Sequence, residues 1–528
     1  MIDFLMSDDL AENSVEKEFH FSDLLDLNQI TIGFQINFQE SNIIRKTSEY
    51  EIYLIGNPLL KKGFTEIWNP LDIAKIQKED TYLQRLFNEI SGICGILAID
   101  RLKKCVHLIT DPLGMWPVYI YNSAEKIAVS TQLKHFIHQA YPLQWDMEAI
   151  QKFVENGYFD NHSCWWKEVK KLKAACVYTY DGKSLNYRRY QSWNDLKPVV
   201  KTTQEFCLES KQILHNHISQ FDTKNKTCII ALSGGRDSRW INWVSTQYHS
   251  TESFSFGEPN CADLRIAKSI SDALKQKHKE YHLNYSNWYE DRLDEFISCG
   301  GMLSLEHFHE GKLNDEIKKH SSQVLTGFMG GFAPSNGYKK NKRKYLYKNC
   351  SNEDIEFYGQ CSLHPLLIDQ KMCNLAAHHL YFLSRYYILA TPFYHMPWLK
   401  HFYSAHKSFF QEQYRYSKTI YLDLNNKLSD IPWQKTGLPI SFVFLNTVIQ
   451  YTKLDVLFRK LKLWLGNKID FYNYAKIELQ IHEQISIHLS KLKPLLPFRP
   501  TKNKSYLLRY LSLLSWQQYV SNLQNQAE

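Results

Sequence analysis

No Cys-x-x-Cys pair occurs among the eleven cysteines of this 528-residue chain, at 94, 105, 164, 176, 207, 228, 261, 299, 350, 361 and 373. That absence argues against a zinc ribbon or a dithiol redox motif. The odd, evenly spread count predicts reduced, buried thiols. His307 with His309, and the pair His378-His379, also lack a zinc-site spacing. No run of about eighteen apolar residues is present, and the best stretch, Phe442 to Ile449, is too short to span a bilayer. Met1 to Asp9 is acidic and lacks a basic segment followed by an apolar core. A cytoplasmic protein without a membrane partner is therefore expected. Charge of one sign forms no long arm: 63 Lys+Arg against 55 Asp+Glu leave a net +8. The sharpest cluster, Lys339-Lys340-Asn341-Lys342-Arg343-Lys344, reads as a solvated loop or as an electropositive lid over phosphates or an acidic substrate. Nucleic-acid binding ranks last, because no module for it accompanies the cluster. Internal repeats and low-complexity segments are missing too.

What is present suffices for two or three domains, with 44% hydrophobic and 14% aromatic residues to build cores. The first ~195 residues read as β-rich. Ile30–Phe38 and Tyr50–Gly56 alternate as strands. Gly92–Ile99 and Cys105–Thr110 predict a hairpin, closed by the turn sequence Asp111-Pro112-Leu113-Gly114. Val118–Tyr121, Lys126–Ser130, Ala174–Tyr180 and Tyr187–Tyr190 continue the strands, with helices expected over Asp80–Glu89 and Asp146–Gly157. From Thr202 the pattern alternates: helix Thr202–Gln220, strand Ser253–Gly257, helix Asp263–Lys275, strands Lys279–Leu283 and Gln323–Gly327. Such alternation predicts a parallel sheet flanked by helices. Beyond ~370 the chain reads as helical and aromatic.

One stretch carries chemistry. Ala231-Leu232-Ser233-Gly234-Gly235-Arg236-Asp237-Ser238-Arg239 follows the β-rich run Thr227–Ile230 and precedes Trp240–Val244, which reads as the opening of a helix. A strand, a Gly-Gly turn and a helix N-terminus make an anion cradle, because glycines admit close approach and helix-start N–H groups point outward. Ser233 and Ser238 add hydroxyl donors. Asp237 would repel phosphate, so its natural partner there is Mg2+ bridging phosphate oxygens. Arg236 and Arg239 flank the loop, as phosphate contacts or as partners of structural carboxylates.

This Ser-Gly-Gly-x-Asp-Ser pattern resembles the pyrophosphate loop of ATP-pyrophosphatases, which split ATP between the α and β phosphates and leave an adenylated substrate. It is not the Walker pattern. Around it, most of the chain resembles the asparagine synthetase family. Gly92–Asp100, Asp111–Tyr119 and Val129-Ser130 follow the order of that family's glutaminase-type domain. Phe254-Ser255-Phe256-Gly257 with Asp263, Thr391-Pro392-Phe393, and Trp433-Gln434-Lys435-Thr436-Gly437-Leu438-Pro439 match landmarks of its synthetase domain. The resemblance implies an α+β, Ntn-hydrolase-like β-sandwich domain over 1–195. After it would come an α/β parallel-sheet ATP-pyrophosphatase domain over 196–528 with a helical C-terminal part. It implies ATP and Mg2+, bound by Leu232, Ser233, Gly234, Gly235, Arg236, Asp237 and Ser238 with Phe256, Gly257, Thr326 and Gly327, Asp237 holding the metal. Lys435 would stabilise the charge developed on the acyl-adenylate, with Lys418 as the competing candidate.

Two departures stand against the family pattern. Glutamine-using members carry a cysteine at the mature N-terminus, whereas this chain begins Met1-Ile2-Asp3 and its first cysteine is Cys94. Glutaminase activity is not expected, as in the β-lactam synthetases and lasso-peptide cyclases that this arrangement is similar to. In Thr326-Gly327-Phe328-Met329-Gly330-Gly331-Phe332, Gly331 stands where members place an aspartate for Mg2+-pyrophosphate, leaving Glu306 or Glu310 as substitutes. The expected function is an ATP-dependent, AMP- and pyrophosphate-forming ligase joining a small-molecule or peptide carboxylate to ammonia or an amine. Its rivals are a degenerate nucleotide-binding scaffold, an RNA-modifying enzyme that adenylates a base, and a glutamine-dependent asparagine synthase. The aromatic C-terminal third would build a homodimer interface or a substrate pocket.

Overall fold

The computed structural model describes residues 2–7, 23–26, 31–36, 43–64, 73–197, 199–224, 226–319, 323–330, 351–358, 371–404, 409–454, 456 and 471–527. Two six-stranded antiparallel sheets come first. One runs Val169–Lys171, Tyr119–Asn122, Ile127–Ser130, Ile2–Ser7, Thr31–Ile36, Asp23–Asp26. The other runs Leu185–Arg189, Cys176–Tyr180, Cys105–Ile109, Cys94–Asp100, Tyr50–Gly56, Ile43–Lys46. The predicted hairpin forms with Leu97 opposite Leu108 and Asp100 opposite Cys105. Every residue of Cys94–Asp100 is buried, which is why this strand reads as a continuous apolar run and not as an alternating one. The turn that follows is locked by the Asp111 carboxylate, which accepts from the N–H groups of Leu113, Met115 and Trp116 at 3.2, 3.0 and 2.8 Å and from the Tyr394 hydroxyl.

The parallel sheet has the order His278–His282, Thr251–Gly257, Cys228–Ala231, Gln323–Thr326, Ile388–Ala390. All four neighbouring pairs are parallel, with Ala231 beside both Phe254 and Thr326. Cys228–Ala231 comes first in sequence yet lies at the centre. The chain builds outward on one side through residue 282, then crosses back to build the other. A topological switch therefore falls at the carboxyl end of Cys228–Ala231, where loops diverge and leave a crevice.

The helix after this strand runs from Arg236 to Thr246, four residues earlier than the apolar pattern suggests. Gly235 serves as an extended N-cap, and the two arginines that disguise the first turn, Arg236 and Arg239, are buried rather than solvated. Arg239 is 0% exposed and donates to the carbonyls of Leu428, Ile431 and Pro432 at 3.1, 2.7 and 2.7 Å. Other boundaries fall within a few residues of expectation, including Met147–Asn156 with Asp146 as N-cap and left-handed Gly157 as C-cap.

The later helices close on the antiparallel sheets. Trp516, in the final helix Lys504–Ala527, stacks on Trp165 with centroids 5.7 Å apart, and the Trp165 indole donates to the Gly300 carbonyl. The edge strand Ile388–Ala390 is held from the other side, where Leu389 N–H donates to Asn57 O at 2.9 Å. There Gly92, at φ +117°, lies so near that a Cβ would meet Leu389 O at 2.4 Å. Much of the C-terminal aromatic content is thus spent inside the chain. Among the described residues the nine cysteines are free and buried, and no helix is long and apolar enough to cross a membrane.

Candidate functional site

The loop after the central strand satisfies most of its own backbone. Ser233 N–H donates to the Ser238 hydroxyl at 3.1 Å, Gly235 N–H to the Ser233 hydroxyl at 3.2 Å, and the two hydroxyls lie 3.1 Å apart. Gly234 N–H donates to the Asp263 carboxylate at 2.8 Å. The donors that remain belong to the first helical turn at Arg236, Asp237 and Ser238, whose N–H groups have no carbonyl one turn earlier within the helix. Asp237 sits in that turn, about a quarter exposed (27%), with Oδ1 accepting from the Tyr416 hydroxyl at 2.7 Å. Burial pushes its carboxyl up, against the opposing pull of Arg236, Tyr416 and Lys435.

Thr326 and Gly327 meet the loop from the neighbouring strand end. A Cβ on Gly327 would stand 2.4 Å from Ser238 N, so only glycine lets the strand end lie against the helix start. Gly327→Ala is expected to force the two apart, at about 1–3 kcal/mol of stability, and to abolish stabilisation by Mg2+ and an ATP analogue in a thermal melt. Undiminished ligand stabilisation in that variant would show that the strand end plays no part in the cradle.

A cavity of about 310 Å3 opens at this crevice. Leu232, Ser233, Gly235, Asp237, Ser238, Phe256, Thr326 and Gly327 all line it, whereas Gly234, Gly257 and Arg236 do not. Gly257 lies instead against Cys261 and Phe471. Arg236 turns away: its guanidinium stacks between Tyr416 and Trp433, 4.7 Å from each ring, and donates to Ser417 Oγ and Gln413 Oε1. Its side chain anchors the helix Phe409–Asp423, leaving only its backbone N–H for a phosphate. Arg239 is bonded to three carbonyls, does not line the cavity, and pairs with no carboxylate among the described residues.

The lysines separate clearly. Lys418 sits over the Tyr421 ring at 5.2 Å and does not line the cavity. Lys435 belongs to a turn tied to the loop, since Gln434 N–H donates to Gly234 O at 3.1 Å. Its ammonium is exposed, 3.5 Å from Gln450 Oε1, and not in the water-poor setting expected of it. Glu306 does not line the cavity, and its carboxylate, which burial would raise but His307 and Arg509 hold at about 2, is paired with Arg509 at 2.7 Å. Glu310 lines the cavity. Gly331 and Lys339–Lys344 lie outside the described residues. Sequence reasoning missed Tyr416, Asn314, His379 and Tyr387. Tyr416 lay two residues from a lysine weighed for catalysis, but nothing local aims its hydroxyl at residue 237.

Residues 79–191 match the family model of the glutamine amidotransferase domain. The chain is 23% identical over 279 residues to a putative asparagine synthetase [glutamine-hydrolyzing] 2 of Methanocaldococcus jannaschii, covering 49% of this chain and 53% of the relative. It is 22% identical over 198 residues to asparagine synthetase [glutamine-hydrolyzing] 1 of Bacillus subtilis, covering 37% of this chain and 31% of the relative. These matches, at weak identity, support a relationship to the asparagine synthetase family. The chain spans about half the length, or less, of these curated relatives. A solved B. subtilis glutamine phosphoribosylpyrophosphate amidotransferase, complexed with ADP and GMP, aligns at 8% identity and a TM-score of 0.23. That alignment covers 53% of this chain and 84% of that one, a likeness too slight to carry weight. Glu310, its side chain 10% exposed, lines the same cavity as the loop.

Proposed function

We propose that this chain is an ATP-dependent carbon–nitrogen ligase, with residues 1–195 as a glutaminase-like domain and 196–528 as the synthetase. The observation that carries the reading is the helix-start cradle, bearing Asp237, at the mouth of a cavity on the carboxyl edge of a parallel sheet. A carboxylate oxygen attacks the α-phosphorus of ATP. The bond to the β-phosphate breaks, and pyrophosphate departs into the N–H groups of residues 236–238 and the hydroxyls of Ser233 and Ser238. Asp237 is the carboxylate that would hold a Mg2+ ion, which would neutralise charge on the phosphate oxygens. Ammonia or an amine then attacks the acyl carbon and AMP leaves, with Lys435, whose charge Asp237 feels, as the candidate cation for that step. The acyl partner is a small-molecule or peptide carboxylate.

Nitrogen from an amine or from free ammonia is favoured over glutamine. Cys94, inside the glutamine amidotransferase-like segment, is 1% exposed in a strand, and burial pushes its thiol well up, the reverse of an activated nucleophile. The exposure of Lys435 favours a second reading, a scaffold that binds nucleotide without turnover. One experiment separates them. A non-hydrolysable ATP analogue with Mg2+ should stabilise the protein by about 2.7 kcal/mol at a hundredfold excess over Kd. Pyrophosphate release with a panel of carboxylates then reports turnover. Stabilisation without release supports the scaffold, and neither result would end both readings. Glutamine hydrolysis by the purified protein would restore the glutamine-dependent alternative.

A further inference from the structure

One wall of the cavity is not used by the phosphate chemistry. It is formed by Glu310, Asn314 and Ile317 on one segment and His379, Leu383 and Tyr387 on another. The Glu310 side chain is 10% exposed. Its Oε1 lies 4.0 Å from His379 Nε2, and its buried Oε2 has no hydrogen-bond partner. His379 does not serve as counter-ion, because burial holds it down to about 4 and so neutral. Arg292, the cation whose charge Glu310 feels, has its guanidinium committed to the carbonyls of Phe308, Trp288 and His309. Asn314 is occupied as well, since its oxygen accepts from the Tyr387 hydroxyl at 2.9 Å. Burial accordingly pushes Glu310 up to about 7, and beside it Glu295 up to about 8.

An acid left unpaired in a cavity selects for a ligand that supplies a positive charge and an N–H donor. With Oε1 beside His379, one free oxygen suits a compact ammonium better than a forked guanidinium. Phe328, stacked on His379 with centroids 5.7 Å apart, lines the same cavity. Ile317 and Leu383 suit an alkyl stem. We propose that this wall is an amine subsite, in which Glu310 receives the primary ammonium group of a substrate whose reacting group lies at the loop. What that amine belongs to rests on the ligase reading; its binding does not.

The test uses the full chain without nucleotide. Calorimetry with n-butylamine, in two buffers of different ionisation heat, should show binding with release of about one proton near pH 6.5 and none above pH 8, since butylammonium drives Glu310 to ionise. n-Butanol should not bind. Glu310→Gln should weaken butylamine by about tenfold or more and remove the proton release. Glu310→Asp, which keeps the charge, should retain both in part. If Glu310→Gln does not fold, the pH profile of the wild type reads the same group. Equal butylamine affinity in wild type and Glu310→Gln overturns the subsite. So does absence of butylamine binding in a protein that still binds Mg2+ and the ATP analogue. Loss of Mg2+-nucleotide binding in Glu310→Gln with butylamine binding intact would make Glu310 a metal ligand, which also overturns it. Butylamine binding without nucleotide binding sustains the subsite while the ligase reading fails. In an active enzyme, ATP–pyrophosphate exchange supported by 4-aminobutyrate but not butyrate places the amine on the acyl substrate. Equal exchange with both, with product formed only on adding butylamine, makes it the attacking amine. Either assignment sustains the subsite.

Discussion

Asp237→Asn is expected to lower ATP-dependent pyrophosphate release by about two orders of magnitude, a loss typical of removing one fixed charge-stabilising group. The substitution isolates charge from shape. Asparagine's amide oxygen can still accept the Tyr416 hydroxyl now held at 2.7 Å, and the surrounding turn is otherwise untouched. Without nucleotide, thermal stability should hold or rise slightly, because burial already disfavours the carboxylate at this position. With Mg2+ and an ATP analogue, the stabilisation of the wild type should shrink. A quenched-reaction assay and a pair of melts check both. Unchanged release in the asparagine variant would remove Asp237 from the chemistry and leave the cradle without its metal-facing group.

Acid is expected to unfold the protein well above the pH range in which ordinary carboxylates titrate. Burial holds His309, His378 and His395 down to about 3, His107, His278, His379 and His488 to about 4, and His217 well below its ordinary value. Each is neutral when folded and takes up a proton on unfolding. Their folded pKa values lie below the unfolded one, so the stability they confer is complete above about pH 6.5 and lost as pH falls below it. Each such group loses about 1.4 kcal/mol per pH unit. Glu295 and Glu310, raised to about 8 and about 7, act in the opposite direction: their contribution is present at low pH and lost as pH rises above their unfolded values. Asp111 and Asp237, also raised by burial, act in the same direction, and these four carboxylates do not offset eight histidines. Against a net stability of about 5–15 kcal/mol, the midpoint of acid unfolding should fall between about pH 5 and pH 6, read by near- and far-ultraviolet circular dichroism. A transition confined below about pH 4 would show that these histidines reach solvent in the folded chain.

Much of the architecture was legible locally. The hairpin of Cys94–Asp100 with Cys105–Ile109, the helix capped by Asp146 and Gly157, and the strand–loop–helix at 228–246 follow from side-chain periodicity and turn chemistry, which act between near neighbours. The start of that last helix was not legible, because Arg236 and Arg239 look solvated until their partners at 413–417 and 428–432 are in place.

The sequence by itself determined the order of elements, the parallel sheet and the position of the loop on it. Only the tertiary structure decided which side chains meet there. Tyr416 reaches Asp237 across 179 residues, Lys418 and Arg236 are turned aside by the packing of one helix, and Glu310 is left in the cavity while Glu306 is claimed by Arg509. Periodicity specifies which face of a helix or strand is buried. It does not specify what stands opposite, and for a buried acid that neighbour sets both its charge and its chemistry.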